Sequence, residues 1–487
     1  ANAYVRPLMS SYLERLAGEL EQRGLDCPFL LMTSGGGLTT LETAARFPIR
    51  LVESGPAGGA ILAQDVARYA GLDRVLSFDM GGTTAKLCLI DDFEPLTSRS
   101  FEVDRVYRFR KGSGLPVRIP VIEMVEIGAG GGSIAQIDKL GRIQVGPESA
   151  GSEPGPAAYG RGGERPAVTD ADVKLGRIYA DTFAGGSFSL DTAASERALQ
   201  KAIAGPLGLD GEMAAFGVSE VVDENMAAAA RAHAAEFGLD LGSRDMVAFG
   251  GAAPLHAARL GEKLGVRRIV VPGEAGVGSA VGFLLAPVAY EVVRSRRQLL
   301  SAMQASIVNG LMTEMHAESL AVVEMGARGR KLEETRQAYM RYVGQGHEIA
   351  VSIPVEEYGD SHAEQFRAAF EQDYTRLYGR TIEGVDIEVL SWTLTISEVL
   401  PEPGHRVRPG NELRPGMPEP LDPAHPLFDP GLERAVSSRV YLRDGLKTGV
   451  KIEGPALITE AQTTTVVPVG WRARVDRRKH LVLERTA

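Results

Sequence analysis

Asp79 closes an apolar strand and opens a turn, in the stretch Ser77-Phe78-Asp79-Met80-Gly81-Gly82-Thr83-Thr84-Ala85-Lys86. Gly81 and Gly82 remove side chains, so backbone N–H groups can approach phosphate oxygens. Thr83 and Thr84 add hydroxyl donors. A carboxylate repels phosphate, so the chemistry open to Asp79 is holding Mg²⁺, usually through water, because that ion dehydrates reluctantly. The same residues would also make a plain β-hairpin with a Gly-Gly turn.

Ala248-Phe249-Gly250-Gly251-Ala252-Ala253-Pro254 is the second candidate. Bare backbone at Gly250, Gly251 and Ala252 suits the flat face of a nucleoside, and the helix start beyond it favours anions. A tight strand-to-helix turn is the competing reading. Gly128 to Gly132, with Ser133, offers Gly130 and Gly131 as a third nucleotide contact, although a glycine run is a weak signal. Glu123 and Glu126 precede it on a strand. Their spacing places them on opposite faces, so at most one points into a site. Gly146 to Pro156 reads as a stiff polar loop or an Ω-loop, and Thr169-Asp170-Ala171-Asp172 resembles a helix N-cap.

The histidines show no metal-ligand spacing. His256 lies one helical turn past Gly251, so it either faces the cleft or is an ordinary satisfied histidine; His347 follows Gly344-Gln345-Gly346 and leaves the same two options. No Gly-x-Ser-x-Gly elbow sits between a strand and a helix, which leaves a covalent hydrolase without support.

The elements that must position these residues alternate. Strands are expected at 28–32, 74–78, 85–90, 123–127, 246–249 and 269–271, and helices at 5–22, 57–70, 191–203, 217–237 and from Pro254. A small-residue helix is expected from Gly276 to Leu285. The first helix would place Val5, Leu8, Met9, Tyr12, Leu16 and Leu20 near one face. This alternation indicates an α/β layer architecture. Beyond about 290 the texture changes: helix over 297–328, paired strands at 337–343 and 348–353, helix over 361–378, and a long strand at 386–399. A Pro-rich linker follows at 401–435, then short strands over 436–487.

The 487 residues are 44% hydrophobic and 24% charged, ordinary globular values that suit about three domains. A net charge of −10 argues against nucleic-acid or anionic-membrane surfaces, which need clustered Lys and Arg. No uncharged apolar run reaches the ~18 residues of a membrane span, and no signal-peptide pattern opens the chain, which makes the cytoplasm the default. The two cysteines, Cys27 and Cys88, are expected as buried, reduced thiols. The opening Ala1-Asn2-Ala3-Tyr4 reads as the interior of a longer protein or a product of processing.

Taken together and in order, these motifs resemble the hydantoinase A/oxoprolinase family. The residues that carry the likeness are Ser54 to Gly59, Phe78 to Thr83, Glu126 to Ile134, Gly146 to Tyr159, Ala248 to His256, Arg341 to Gln345 and Thr463 to Trp471. The resemblance implies an actin/Hsp70-like (ribonuclease H-like) ATPase lobe over 1–290, an α+β region over 291–400 and a β-rich C-terminal domain over 436–487. It implies ATP and Mg²⁺ as cofactors and phosphorylation of a carbonyl-type oxygen. Asp79 would be catalytic and hold the metal within the second of two phosphate hairpins, and Gly250 and Gly251 would form the nucleotide-side turn.

This chain departs from the family in two places. The first phosphate hairpin would lie in an N-terminal segment that a longer chain or a separate one supplies. Lys86 stands where many relatives carry Asp; it either meets phosphate as a point charge, as a second catalytic residue, or sits exposed on the return strand. The expected activity is that of a hydantoinase A-type subunit of an ATP-dependent cyclic-amide hydrolase, working in a hetero-oligomer with a B-type partner subunit. A subunit of an ATP-dependent ketone carboxylase and a scaffold subunit with a degenerate nucleotide site are the alternatives.

Overall fold

A computed structural model describes residues 1–103, 106, 112–400 and 418–486. It divides into two compact units, Ala1–Ser54 with Ala286–Glu402, and Gly55–Leu285 with Pro403–Ala487. Each unit gathers segments that are distant in sequence.

The second unit is built on a nine-stranded mixed sheet. In chain order its main elements are α1 (Ser54–Ala70), β1 (Arg74–Met80), β2 (Ala85–Asp91), β3 (Met124–Ile127), α2 (Val168–Lys174) and α3 (Gly211–Glu236). There follow β4 (Asp245–Phe249), α4 (Ala253–Leu264), β5 (Arg268–Val271), α5 (Gly278–Leu285), β6 (Lys451–Glu453), β7 (Trp471–Val475) and β8 (Leu481–Arg485). Eight strands run in the order β3-β2-β1-β4-β5-β8-β7-β6, and the ninth, Glu94–Pro95, pairs with β2 off this path. β1, β4 and β5 run parallel, whereas β1 and β2 form an antiparallel hairpin.

The central strands are near-continuous apolar runs because both faces are covered. Val75, Leu76, Phe78 and Met80 of β1 are all buried, as are Met246 to Phe249 of β4. The chain therefore has a mixed α/β fold, with the last two strands completing the sheet beside β5.

A separate four-stranded sheet in this unit contains Asp422–Asp429 at its edge, paired with Arg434–Leu442. That strand falls inside the stretch expected as a Pro-rich linker. Pro423 and Pro426 are tolerated because an edge strand has one side without ladder partners. Positions 401–417 of the expected linker lie outside the described residues.

The first unit holds an antiparallel sheet ordered Ala289–Leu299, Ile387–Glu398, Leu332–Tyr342, Ile349–Ile353. Helices Ala305–Ala327 and His362–Tyr378 contribute to a core around Trp392, Phe366, Phe370 and Tyr342. The helix expected from 297 begins at Ala305 instead. Residues up to Leu299 pair with Ile387–Glu398 across a bulge, and the ladder outweighs local helix preference.

The first helix, Asn2–Gln22, forms as read, but its buried residue is Leu13, while Leu8 and Tyr12 are exposed. Cys27 is also exposed, because it stands in the connection before the strand Leu30–Met32; Cys88 is buried as expected. Burial drives the Cys88 thiol up to about 12, which makes it inert as a nucleophile. Among the described residues no helix is long and apolar enough to cross a membrane.

Candidate functional site

The β1–β2 hairpin delivers Asp79 and Lys86 as directly opposed residues, with Met80 opposite Ala85. The turn between them is closed by the Gly81 N–H donating to the Thr84 carbonyl at 3.1 Å. A Cβ on Gly81 or Gly82 would meet nothing within 4 Å, so these glycines leave open space rather than relieve crowding. Among the described residues neither the Gly82 nor the Thr83 amide donates to a protein acceptor. An open, glycine-lined turn with two unengaged amides is suited to anion oxygens.

The Gly128–Gly132 loop backs this turn. Gly131 and Gly132 donate their N–H groups to the carbonyls of Gly81 and Gly82, at 3.0 and 2.6 Å. A Cβ on Gly130 would lie 2.7 Å from the Gly82 carbonyl. The Gly130 amide is itself bound to Ser133 Oγ at 2.8 Å. Gly130 and Gly131 thus hold the hairpin with amides already engaged, and they offer no free donor to a nucleotide. Thr169, from α2, locks the loop through its hydroxyl and its amide, both donating to the Gly131 carbonyl at 2.8 and 2.7 Å. Asp170 caps α2 from within its first turn, accepting from the Ala167 N–H at 2.7 Å.

Gly250 closes the other side of Asp79. It follows β4, whose Phe249 lies opposite Asp79 in the parallel register. Its φ of +101° favours glycine, and a Cβ there would stand 2.4 Å from the Met80 carbonyl and 2.6 Å from Asp79 Oδ1. The Ala252 amide donates to the Met80 carbonyl at 2.9 Å, which ties the start of α4 to the hairpin. The carbonyl of Gly251 accepts from Thr463 Oγ1 at 3.0 Å.

Asp79 is partly buried. Burial raises its carboxyl above the usual range; the positive charge of Lys86 and a hydrogen bond from Ser279 pull it back. Ser279 Oγ donates to Asp79 Oδ2 at 3.1 Å. Lys86 Nζ donates to Thr84 Oγ1 at 2.6 Å and pairs with Glu126 Oε1 at 3.3 Å. Lys86 therefore belongs to the hairpin's own bonding. An oxygen donor whose charge is penalised by burial and only partly offset is chemically suited to a hard divalent cation.

His256 does not face the turn. It is fully buried, its Nδ1 2.8 Å from Asp223 Oδ1 and its Nε2 3.2 Å from Asp172 Oδ2. Arg177 binds Asp172 at 3.1 Å and Ser219 at 2.6 Å. Burial alone would lower the imidazole, but the two carboxylates hold it up at about 9. Burial likewise pushes Asp172 upward, yet His256 and then Arg177 hold it below the usual range. Two cations and two anions thus join α2, α3 and α4.

A third grouping was not legible from spacing. Glu123, His233 and Glu236 bring one ligand atom each within 4.8 Å of one another, a set that could hold a divalent cation. Only His233 and Glu236 are close in sequence. Ser279 was also missed, and Thr463 was read only as part of the family likeness, with no site role; they reach the site from positions 200 and 212 residues from Asp79 and Gly251 respectively.

The pattern of the hydantoinase/oxoprolinase family matches residues 1–292, and that of its C-terminal domain matches 432–486. An uncharacterised protein of Methanocaldococcus jannaschii is 34% identical over 99% of this chain and 69% of its own length. Caprolactamase subunit alpha of Pseudomonas jessenii is 30% identical over 98% of this chain and 67% of its own length. The crystal structure of that organism's ATP-dependent caprolactamase superposes with a TM-score of 0.81 at 28% identity, covering 100% of this chain and 69% of that one. A nucleotide-free acetone carboxylase, from work on ATP-dependent acetone carboxylation, superposes at 0.79 with 26% identity, covering 97% and 66%. The chain spans about two thirds of the length of these relatives. Motif order, fold and family pattern agree, and the chain belongs to the hydantoinase/oxoprolinase family.

Proposed function

We propose that this chain is the ATP-using part of a cyclic-amide hydrolase, a hydantoinase A-type subunit that phosphorylates the amide oxygen of a lactam or imide before the ring is opened. The observation that carries this reading is the Asp79 carboxylate set between two bare backbone turns, Gly81–Gly82 and Gly250–Gly251, with the Gly82 and Thr83 amides unengaged. The relatives named for ATP-dependent reactions support the same reading.

In this reading the Gly82 and Thr83 amides and the Thr83 hydroxyl bind phosphate oxygens, and the Gly250–Ala252 backbone meets the nucleoside. Asp79 would hold Mg²⁺, which when bound offsets charge on the transferring phosphoryl group. Lys86 keeps Thr84 and the hairpin in place and adds positive charge near the phosphates. The γ-phosphoryl bond to ADP breaks as a bond to the amide oxygen forms. One water then adds at the activated carbon and the ring nitrogen leaves as the protonated amine, giving an acyl phosphate, and a second water cleaves this to the carboxylate and free phosphate. Catalysis of this kind rests on positioning and electrostatics. The actin-like arrangement, a companion phosphate hairpin and a B-type partner subunit belong to this proposal.

A second reading, a subunit of a ketone carboxylase, is favoured by the fold likeness to acetone carboxylase. The two are separated by assaying ATP consumption of the whole protein with lactams, and with acetone plus labelled bicarbonate. Ring opening without label incorporation supports the hydrolase. Label in a carboxylate product overturns it, and no ATP consumption under either condition overturns both.

A further inference from the structure

The glycines of α1 and α5 have no role in the site so far described, yet they set how closely these helices approach. A Cβ on Gly282 would lie 1.8 Å from the Gly58 carbonyl, and one on Gly58 would lie 2.5 Å from the Ser279 carbonyl. A Cβ on Gly278 would strike Phe249 and Leu62 at 2.8 and 2.9 Å. A Cβ on Gly59 would stand 2.7 Å from Phe249 and 3.1 Å from Ser279 Oγ. Gly58 and Gly282 thus allow backbone-to-backbone contact where side chains would hold the helices apart, and Gly59 and Gly278 leave room beside it for Phe249 and Leu62. The residue brought in at that contact is Ser279, the one side chain of α5 bonded to Asp79.

The approach to α5 is fixed as well. The Ala275 carbonyl accepts from the Gly250 amide at 2.7 Å, and Gly276 lies so close to Gln462 that a Cβ would be 2.1 Å from its Cβ. The 275–279 stretch therefore touches the nucleotide-side turn at one end and Asp79 at the other. Ser279 engages Oδ2, and Oδ1 is left beside the bare backbone of Gly250. A free aspartate rotates about its side-chain torsions. One tethered on a single oxygen presents the other in a fixed direction.

We infer that Ser279, delivered by this glycine crossing, is the positioning residue for Asp79: it fixes one carboxylate oxygen so that the other faces a metal–nucleotide complex. The inference rests on reading Asp79 as the Mg²⁺-holding carboxylate of an ATP site.

The test compares Ser279→Ala, Ser279→Thr and Asp79→Asn in the whole protein, measuring MgATP turnover against Mg²⁺ concentration, and ATP binding without Mg²⁺. Ser279→Ala is expected to raise the Mg²⁺ concentration for half-maximal turnover about tenfold, the scale of one hydrogen bond to a charged group. Metal-free ATP binding is expected to hold within about twofold. Ser279→Thr, which keeps the hydroxyl, is expected to restore the Mg²⁺ response. An unchanged Mg²⁺ response in Ser279→Ala, with Asp79→Asn impaired, overturns the positioning role alone. An unchanged response in Asp79→Asn overturns the reading of the site beneath it.

Discussion

Asp79 and Asp172 are aspartates of the same unit, and burial pushes both carboxyls in the same direction, yet they end on opposite sides of the ordinary value. Asp172 is almost wholly buried but meets His256 and Arg177, with Asp223 completing a neutral set of four charges. Asp79 has one cation across the hairpin and one hydroxyl. The first arrangement resolves its charges internally and ties three helices together. The second leaves a partly compensated carboxylate beside open backbone, which is a poor structural element and a good ligand. In the proposed function the contrast separates a part of the molecule that serves stability from a part that serves chemistry.

The sharpest way to break this contrast is Asp79→Asn. If Asp79 serves chemistry, ATP turnover falls at least about 100-fold, the scale lost with one preorganised charged group. Its carboxyl is raised on folding, so its stabilising contribution is complete below the ordinary value and is lost as pH rises through the folded one. Above that point the ionised side chain works against folding, so the melting temperature of the variant is expected to hold or rise. A lowered melting temperature with intact turnover would reverse the assignment.

His256→Leu is expected to do the opposite. Removing one partner leaves Asp172 and Asp223 buried without it, at a cost of about 3–5 kcal/mol, read as a lower urea midpoint. His256 titrates at about 9 in the fold against 6.5 unfolded. Its contribution is complete below 6.5 and is lost as pH rises through about 9. Wild-type stability should therefore fall across that window, and the variant should lack this part of the slope.

Two glycine substitutions sharpen the comparison further. Gly250→Ala meets a φ of +101° and a backbone oxygen at 2.4 Å, so it should destabilise the fold by about 2 kcal/mol. Gly81→Ala meets nothing within 4 Å, so folding should stay within about 0.5 kcal/mol while MgATP affinity falls. Equal effects on folding would erase the distinction between the two turns. A small effect on folding, with no loss of nucleotide contact, is expected for Glu126→Gln. The Lys86–Glu126 pair is half exposed, so its loss should cost under ~1 kcal/mol by denaturant titration.

Much of the hairpin was legible because its signals are local. An apolar strand, an Asp, two glycines and a return strand occupy one short stretch, and β1 and β2 follow them. The alternation of strands and helices likewise announced the α/β fold. What sequence periodicity does not carry is the partner of a buried group. His256 reads as a residue one turn from a glycine pair, and only folding brings Asp172 and Asp223 to its two nitrogens. Ser279 reads as one small residue in a small-residue helix, and its meaning comes from the crossing with Gly58 and Gly59. Gly130 and Gly131 were visible as glycines, but the engagement of the loop's amides by Ser133 and the Gly81 carbonyl was not. The edge strand Asp422–Asp429 was hidden by its prolines, which weigh against a strand until its position at the sheet edge is known.

The central claim is that Asp79 faces a metal-bound nucleotide between two bare turns. Calorimetric titration of the whole protein with ATP, with and without Mg²⁺, tests it most directly when wild type and Asp79→Asn are compared. The proposed function predicts that Mg²⁺ strengthens ATP binding to the wild type and that the Asn variant loses this enhancement while still binding ATP. An equal Mg²⁺ enhancement in both proteins would contradict it.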